Sequence, residues 1–475
     1  MKEKGLKVAF FVNSFPVISE AFVATSAAAL QAQGNHVDIY GFGGGVPTGY
    51  AVDAATRQRL EGAAWNAARP SSLREHLVLA PGAFAAALRS FGPRAFHTLN
   101  PLAYRRSVLD LASLYQAAIL RNGGRYDILH CQFATLGEFV LKHKRAGLLG
   151  GRLVVHFRGY DISEVVETCG PHVYDDLFAE ADYFIANCEF FRQRAIALGC
   201  PADRIDVVGS GIDLANFPFR GAIEPGDGPL RLVTIGRLIE RKGIHVALDA
   251  LALLARDGLD FRFDVIGDGP ERAELEMKSR ALGLADRVVF HGARTHAEIR
   301  AMLDDSHVML ATSMTARDGS QDATVNTVKE AMAVGVLVVG TRHGGIPELV
   351  EEGRTGALCR ENDAPDLAGA VRRLLGWKGE WAAIARRSRR RVEDNFAIAV
   401  TNQRLLDVYE KALSPRGDAG NRPVPGHAPV LKSGGSGRDG QDVASQGHHH
   451  HHAARPVRRR AAVLQECDRA HRGTL

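Results

Sequence analysis

Residues 230–243 read LRLVTIGRLIERKG, and this stretch decides the fold. Its first six residues are mostly apolar on consecutive positions, which is typical of a strand that is covered on both faces. Gly236 follows directly and permits a sharp turn, and a helical pattern begins after Gly243. A strand, a glycine turn and a helix in this order form the repeating unit of a parallel α/β sheet.

The same alternation of short apolar runs and helical patterns extends through most of the chain. In the first half it predicts strands at Lys7–Val12, His36–Tyr40, Asp127–Gln132, Arg152–Phe157, Tyr183–Asn187 and Arg204–Val208. In the second half it predicts strands at Leu230–Ile235, Arg262–Ile266, Arg287–Phe290, Val308–Ala311 and Val336–Gly340. Two such series predict an α/β protein of two Rossmann-like, doubly wound parallel-sheet domains that face a central cleft.

Two changes in composition mark the predicted domain boundaries. Phe217 to Gly228 contains prolines and glycines without periodicity, and it predicts a linker. We therefore expect domains at 1–218 and 229–385, followed by C-terminal helices at 386–413. From Pro415 to residue 475 core-forming residues are scarce, which predicts a disordered tail. The histidine run at 448–452 lies in that tail and is left out of the search for a site.

Bulk composition excludes several classes of protein. The 475 residues are 45% hydrophobic and 24% charged with a net charge of +5, which is an ordinary globular balance. Clustered basic residues with stacking aromatics are missing, so we expect no nucleic-acid partner. The six cysteines are scattered without metal or redox spacing, which favours buried thiols. Because no stretch has the length and apolarity of a signal peptide or a membrane span, we expect a cytoplasmic protein.

One segment, roughly residues 61–125, fits the alternation poorly. It has a helical pattern with eight arginines against three acids and interleaved Leu, Phe and Ala. One interpretation is an insertion on the first domain with solvated arginines. The other is a basic amphipathic surface for peripheral contact with an anionic membrane or a lipid-linked substrate at the inner face of the cytoplasmic membrane.

The turn after residue 235 has two basic residues that suit a diphosphate. Arg237 and Lys242 follow Gly236 at the carboxyl end of a strand, where open parallel sheets bind their ligands. Arginine binds phosphate oxygens in pairs and lysine acts as a point charge. The alternative is a surface loop with ordinary charges.

Two further glycine turns follow predicted strands of the second half. Gly267 and Gly269 stand in VIGDGP at residues 265–270, and the glycine pair Gly344-Gly345 stands in GTRHGGIPE at residues 340–348. Turns of this kind leave backbone N–H groups available to a ligand next to a helix start. Many nucleotide-binding sheets have such a turn, so each is weak evidence by itself.

Two acids stand eight residues apart where a helix is predicted to begin. Asp322 precedes the predicted helix start near Asn326, and Glu330 lies about one turn inside it. Carboxylates accept hydrogen bonds from paired sugar hydroxyls, so these two acids suit a ribose and a hexose along one ligand. The alternative is a capping acid followed by a solvated glutamate.

These strand-end sites together resemble those of the retaining glycosyltransferases of family 4. The resemblance extends from Lys7 to about Leu413 and is tightest between residues 230 and 350. The segments NSFPVISEAFV at residues 13–23 and VVGSGID at residues 207–213 are similar to members that build exopolysaccharide and colanic acid. The resemblance implies the two-domain fold and a last helix, about Asn402 to Leu413, that crosses back to the first domain.

The resemblance also implies roles for the site residues. Arg237 and Lys242 would bind the donor diphosphate, and backbone near the glycine pair would help to neutralise it. Glu330 would hold the ribose hydroxyls, and Asp322 would hold hydroxyls of the transferred sugar. Asp322 departs from the family, which usually has Glu there and commonly Gly-x-Pro after it, and this departure puts the identity of the donor sugar in doubt.

A first-domain contact is expected after the strand that ends at Phe157. The family has a Phe-His-Gly pattern there, and this chain reads VHFRGYD at residues 155–161. His156 and Arg158 are two residues apart and therefore share one face of an extended strand. We expect His156 to contact the ligand, with Arg158 as the alternative contact and a core histidine as the other interpretation of His156.

The resemblance therefore implies a retaining hexosyltransferase, with a UDP- or GDP-sugar donor on the second domain and a glycan or lipid-linked acceptor on the first. We expect no cofactor and no metal, because no Asp-x-Asp pair stands in a strand-end loop and Arg237 and Lys242 supply the cations. Two alternatives remain at this point. One is a sugar-nucleotide 2-epimerase of the same fold, and the other is a catalytically silent sugar-nucleotide-binding partner.

Overall fold

Two parallel sheets organise the chain. The structure, a computed structural model, describes residues 5–17, 21–42, 54–68, 70–104 and 110–415. Most of the tail predicted to be disordered, including the histidine run, lies outside these described residues. The first sheet has seven strands in the order β3-β2-β1-β4-β5-β6-β7. Its strands are β1 (Lys7–Val12), β2 (His36–Gly41), β3 (Ala64–Asn66), β4 (Arg125–Cys131), β5 (Gly150–Phe157), β6 (Tyr183–Ala186) and β7 (Ile205–Val207).

The second sheet has six strands in the order β10-β9-β8-β11-β12-β13. Its strands are β8 (Leu230–Ile235), β9 (Phe261–Ile266), β10 (Val288–Gly292), β11 (Val308–Ala311), β12 (Leu337–Thr341) and β13 (Ala357–Cys359). In both sheets the strand order reverses beside the first strand, between β1 and β4 and between β8 and β11. This is the Rossmann order, and it opens a crevice at the carboxyl ends of those strands. The predicted fold class is confirmed.

Helices cover both faces of each sheet. Those that accompany the first sheet are α1 (Ala21–Ala32), α2 (Ala54–Glu61), α3 (Leu73–Phe91), α4 (Pro101–Tyr104), α5 (Ala112–Ile119), α6 (Ala134–Arg145), α7 (Glu164–Cys169), α8 (Asp175–Glu180) and α9 (Glu189–Ala197). Those that follow are α10 (Ile244–Arg256), α11 (Arg272–Ala281), α12 (His296–Asp304), α13 (Asn326–Val334), α14 (Ile346–Leu349), α15 (Ala364–Gly376), α16 (Trp381–Phe396) and α17 (Ile398–Leu413).

The consecutive apolar strands are buried on both sides, as their sequences predict. In β1 every residue after Lys7 is buried, and in β12 all residues are buried. The predicted strands are all present; three have the predicted bounds, and the ends of the others differ by at most two residues. The two strands that the sequence did not predict, β3 and β13, have only three residues each and show no usable pattern. Both lie at sheet edges.

The last helix returns to the first sheet. Helix α16 packs on the second sheet, where Trp381 and Ile384 are fully buried. Leu405, Val408 and Tyr409 of α17 instead join the core formed by β1, β4 and α1. This arrangement agrees with the crossing helix that the family resemblance implied.

The segment between β3 and β4 forms a layer of helices on the first sheet. Its small core comprises Ala87, Ala95, Leu114, Ala117 and Leu148. Several large apolar side chains of α3 remain outside that core, among them Leu73, Leu77 and Val78. Within the described residues, no helix has both the length and the apolarity that crossing a membrane requires.

Candidate active site

The glycine turns after β8 and β9 touch each other at the carboxyl edge of the second sheet. Gly236 N–H donates to the carbonyl oxygen of Ile266 at 2.9 Å. Gly267 has a φ of +136°, and a Cβ there would lie 1.8 Å from the carbonyl oxygen of Gly236. A Cβ on Gly269 would lie 2.4 Å from the carbonyl oxygen of Leu238. Glycine is therefore required at 267 and 269 for close backbone approach, whichever ligand the turns bind.

Asp322 lies at the centre of a compact ionic cluster. Its carboxylate accepts a hydrogen bond from Lys242 Nζ at 2.8 Å and from Ser313 Oγ at 2.7 Å. Arg241 Nε lies 3.3 Å from the other carboxylate oxygen. Burial by itself raises the pKa of Asp322, but the two cations and these hydrogen bonds outweigh it and hold the pKa below its ordinary value. Asp322 is therefore a fixed anion between two basic residues.

A buried histidine supports the loop that carries Asp322. The N–H of Asp322 donates to His343 Nε2 at 3.1 Å, so that nitrogen is an acceptor. The other ring nitrogen, Nδ1, carries the proton and lies 2.7 Å from a Glu361 oxygen. Glu361 also accepts from the Thr315 N–H at 2.7 Å. The chain from Glu361 through His343 to Asp322 fixes the orientation of this loop.

The glycine pair packs directly on the same loop. Gly344 has a φ of +50°, and a Cβ there would lie 1.9 Å from the carbonyl oxygen of Asp322. A Cβ on Gly345 would lie 2.7 Å from the N atom of Thr324. The pair thus lets the turn before α14 contact the loop that precedes α13.

Arg237 and Lys242 occupy different environments. Lys242 is mostly buried and paired with Asp322, whereas Arg237 is exposed. Within the described residues, no acid is ion-paired with Arg237. One cation of the site is therefore held in place, and the other is available to an anionic ligand.

Glu330 lies in the first turns of α13, on the helix that the Asp322 loop enters. Burial raises the pKa of Glu330 to about 7, and the charge of the neighbouring Lys329 opposes this shift. In the part of the chain that the structure describes, no hydrogen bond or ion pair engages its carboxylate. As the sequence predicts, Asp322 lies in the loop before α13 and Glu330 lies on the helix itself.

The carboxyl end of β5 in the first sheet faces the Asp322 loop. A Cβ on Gly159 would lie 3.6 Å from the carbonyl oxygen of Gln321. Arg194 Nη1 of α9 donates to Gln321 Oε1 at 2.6 Å. The two sheets therefore present their strand ends to each other at this point.

The structure separates the two first-domain candidates. The imidazole of His156 is 2% exposed and stacks on that of His130 with ring centroids 5.7 Å apart. Burial and the charge of Arg158 hold the pKa of His156 well below its ordinary value, so the ring is neutral. Arg158 is the first residue after β5 and is half-buried. Its guanidinium donates to Gln132 and Ser210 and lies over the Phe22 ring.

Several site residues have no counterpart in the sequence predictions. Arg241, Ser313, His343 and Glu361 reach Asp322 or its loop only through tertiary contacts. Arg241 and His343 lie inside motifs that the sequence did single out, but nothing in those motifs shows which way the side chains point. Among the described residues, no group of three or more His, Cys, Asp or Glu is placed to hold a metal ion.

Two Rossmann-ordered sheets, the second with a cationic, glycine-lined strand edge, are the architecture of two-domain nucleotide-binding proteins. The comparisons identify the family of this chain. The model "Glycosyltransferase Family 4" matches residues 19–216, and "Glycosyl transferases group 1" matches residues 229–376. The chain belongs to glycosyltransferase family 4, which confirms the resemblance found in the sequence.

Individual relatives agree with the family. A protein named as the colanic acid biosynthesis glycosyltransferase WcaL of Escherichia coli is 32% identical, over 85% of this chain and 100% of its own. The amylovoran biosynthesis glycosyltransferase AmsK of Erwinia amylovora is 30% identical, over 86% of this chain and 100% of its own.

Solved structures share the fold. Anabaena HepE in complex with UDP-glucose has a TM-score of 0.60 at 20% identity and covers 85% of this chain and 99% of its own. Sucrose-phosphate synthase from Thermosynechococcus elongatus has a TM-score of 0.63 at 17% identity and covers 85% of this chain and 98% of its own. These likenesses support the two-sheet architecture.

Proposed function

We propose that this glycosyltransferase moves a hexose from a UDP- or GDP-sugar to a glycan or lipid-linked acceptor in surface polysaccharide biosynthesis, with retention at the anomeric carbon. The observation that carries this proposal is the ionic cluster at Asp322 beside the exposed Arg237. It combines phosphate-binding cations and a hydroxyl-binding carboxylate at one strand-end crevice. The names of the relatives in colanic acid and amylovoran biosynthesis support the acceptor class.

The two cations suit the leaving nucleoside diphosphate. Negative charge grows on the diphosphate as the bond to the sugar breaks, and preorganised cations stabilise that charge. Arg237 is free to bind phosphate oxygens in pairs, and Lys242 is already oriented by Asp322. The glycine turns at Gly236, Gly267 and Gly269 and the glycine pair allow backbone to approach the donor closely.

The two acids suit the two sugars of the donor. Glu330 is the acid without a protein partner in the described chain, so its carboxylate is available to the ribose hydroxyls. The loop that carries Asp322 faces the carboxyl end of β5, where the transferred hexose would lie. Because Asp322 is already an ionised acceptor, it binds hydroxyls without first losing a proton.

On the first domain we assign the donor or acceptor contact to Arg158 rather than to His156. Arg158 lies at the carboxyl end of β5 with part of its surface exposed, next to the Gly159 that faces Gln321. His156 lies on the covered face of the same sheet, against His130. Its contribution is to shape the core beneath Arg158.

A peripheral membrane contact for the first domain is supported by the segment at residues 61–125. Leu77 and Val78 of α3 are 70% and 71% exposed, and Phe96 further along is 58% exposed. A cavity of about 390 Å³ beside Phe96 is lined by Arg94, His97, Arg125 and Arg145. Exposed apolar side chains next to basic ones fit the interface of an anionic membrane, at the inner face of the cytoplasmic membrane.

Donor turnover tests the proposed function. The protein is incubated with UDP- and GDP-linked hexoses, with and without a lipid-linked glycan acceptor. We expect transfer to the acceptor and slow donor hydrolysis without it. Inversion at C2 of the donor sugar would instead identify an epimerase, and tight binding without turnover would identify a silent partner.

Sedimentation with vesicles tests the membrane contact separately. We expect the protein to sediment with vesicles that contain phosphatidylglycerol. Leu77→Ser with Val78→Ser should abolish this binding and leave transfer to a water-soluble acceptor unchanged. Equal sedimentation of the variant would count against the contact.

A further inference from the structure

Lys329, the residue before Glu330, is fully buried, with 0% exposed surface. Its Nζ donates to the carbonyl oxygen of Ser210 at 2.8 Å and to Asn326 Oδ1 at 3.1 Å. The ammonium also lies 4.7 Å from the centre of the Phe396 ring. No carboxylate in the described residues forms an ion pair with it. Fully buried lysines are rare, because removing an ammonium group from water costs free energy. The burial of Lys329 therefore calls for a structural explanation.

Its two main contacts lie on the two segments where the chain passes between the sheets. Ser210 belongs to the segment that leaves β7 toward the second sheet, and Phe396 is the last residue of α16, just before α17 returns to the first. Backbone hydrogen bonds join these segments, from Ile212 N–H to Phe396 O at 2.8 Å and from Ile398 N–H to Ile212 O at 3.0 Å. Lys329 therefore connects α13 to both crossings at once.

The contact continues to the first-domain side of the cleft. Arg158 Nη1 donates to Ser210 Oγ at 3.2 Å, and the backbone carbonyl of the same serine accepts from Lys329. A continuous chain of polar contacts thus joins Arg158, at the end of β5, to the residue next to Glu330.

We propose that Lys329 is a positioning residue, which holds α13 against the two crossing segments so that Glu330 meets the donor ribose only while Arg158 is in place. The inference rests on the proposed role of Glu330. Under this proposal, the donor binds productively only when the two sheets are correctly positioned relative to each other. Lys329 provides this link although its side chain touches neither substrate.

The charges around Lys329 make the coupling visible in a pH profile. Burial lowers the pKa of Lys329 to about 7; Cys188, the residue before α9, Glu330 and Glu348 of α14 favour the ammonium, and Arg158 opposes it. Glu330 also has a pKa of about 7, which the charge of Lys329 lowers. The two groups therefore titrate together around neutrality. Without the cation at 329, protonation of Glu330 begins at higher pH.

Lys329→Met tests the inference, because it removes the charge and both hydrogen bonds and keeps an unbranched side chain. We expect kcat/KM for the donor to fall roughly tenfold at neutral pH, mainly through KM, and its acidic limb to move to higher pH. Loss of both hydrogen bonds leaves Ser210 O and Asn326 Oδ1 without this donor, so Tm should also fall, and the kinetics are measured below the unfolding transition. Lys278→Met is the matched control in the same domain, since Lys278 pairs with Asp249 on the outer helices, and it should retain the wild-type profile.

Two further variants distinguish misfolding of Lys329→Met from a wrong assignment of Glu330. If Lys329→Met does not fold, Phe396→Leu removes the ring beneath the ammonium and should move the acidic limb in the same direction. A uniform loss of rate without movement of the limb, or unchanged kinetics, would overturn the positioning role. Wild-type donor binding by Glu330→Gln would instead show that the role proposed for Glu330 is wrong.

Discussion

The carboxyl edges of the two sheets contrast in how their polar groups are used. At the second sheet, two loops bring Lys242, Arg241 and Asp322 into an ionic cluster and leave Arg237 exposed. At the first sheet, Arg158 is already engaged by Gln132, Ser210 and the Phe22 ring. The second edge is therefore equipped to bind a strongly charged ligand, whereas the first is equipped to hold its own geometry.

This contrast supports the proposal that the second domain binds the donor and the first domain binds the acceptor. A nucleoside diphosphate carries charge that must be matched at a fixed place, and the second edge supplies that match. A glycan acceptor is neutral or weakly charged along most of its length, and its recognition depends on shape and hydrogen bonds. A rigid first-domain edge is suited to that task.

The largest expected effect concerns the cations of the second edge. Arg237→Ala and Lys242→Ala should each lower kcat by roughly 100-fold, because charge develops on the leaving diphosphate in the transition state. The loss of donor affinity should be smaller than the loss of rate. Steady-state kinetics with a nucleotide sugar and acceptor measures both. Near-normal turnover by Arg237→Ala would show that the diphosphate assignment is wrong.

The next effect concerns the anion at the centre of the cluster. Asp322→Asn should lower transfer by roughly 100-fold and leave nucleotide binding nearly intact, because the ribose contact is proposed for Glu330 and not for Asp322. Asp322→Glu should lower activity less, through crowding of the loop beside Gly344. Isothermal titration with UDP and GDP, together with transfer assays, distinguishes the two losses. A fully active Asp322→Asn would make the residue a structural acid.

The same variant has a pH signature. The pKa of Asp322 in the folded protein lies below its ordinary value of 3.8, so its charge stabilises the fold fully above that value. This contribution is lost as pH falls through the folded-state pKa. The difference in Tm between wild type and Asp322→Asn should therefore be constant near neutral pH and shrink in acid, below about pH 4.

The sequence predicts the parts of this site that local patterns determine and misses the parts that depend on tertiary contacts. Strand ends, glycine turns and the Asp322–Glu330 spacing are local patterns, and each lies where the sequence predicts it. The tautomer of His343, the pairing of Arg241 and the burial of Lys329 depend on segments that are far apart in the chain. His156 shows the limit most clearly, because a two-residue period assigns it the same face as Arg158 but says nothing about which face α17 covers.

A smaller effect separates the two first-domain candidates. Arg158→Ala should lower kcat/KM roughly tenfold, because the strand end loses its links to Gln132 and Ser210. His156→Ala should instead lower the free energy of unfolding by about 2 kcal/mol and leave kcat/KM of the folded enzyme near wild type. Urea unfolding and kinetics on both variants check this. A folded His156→Ala enzyme without activity would restore the histidine as a ligand contact.

The smallest expected effect is that of metal removal. It tests whether the basic residues of the second edge, rather than a divalent ion, neutralise the leaving diphosphate. In many enzymes a divalent ion neutralises a leaving diphosphate. Here we propose that Arg237 and Lys242 supply two positive charges to the diphosphate, and Asp322 is occupied by Lys242 and Arg241 rather than open to a cation. A bound divalent ion would have to displace those bonds. Activity should therefore survive excess EDTA with unchanged kcat, and added magnesium or manganese should not raise it. Full loss in EDTA with recovery on addition of either metal would mean that the two cations orient the donor while an ion carries the developing charge.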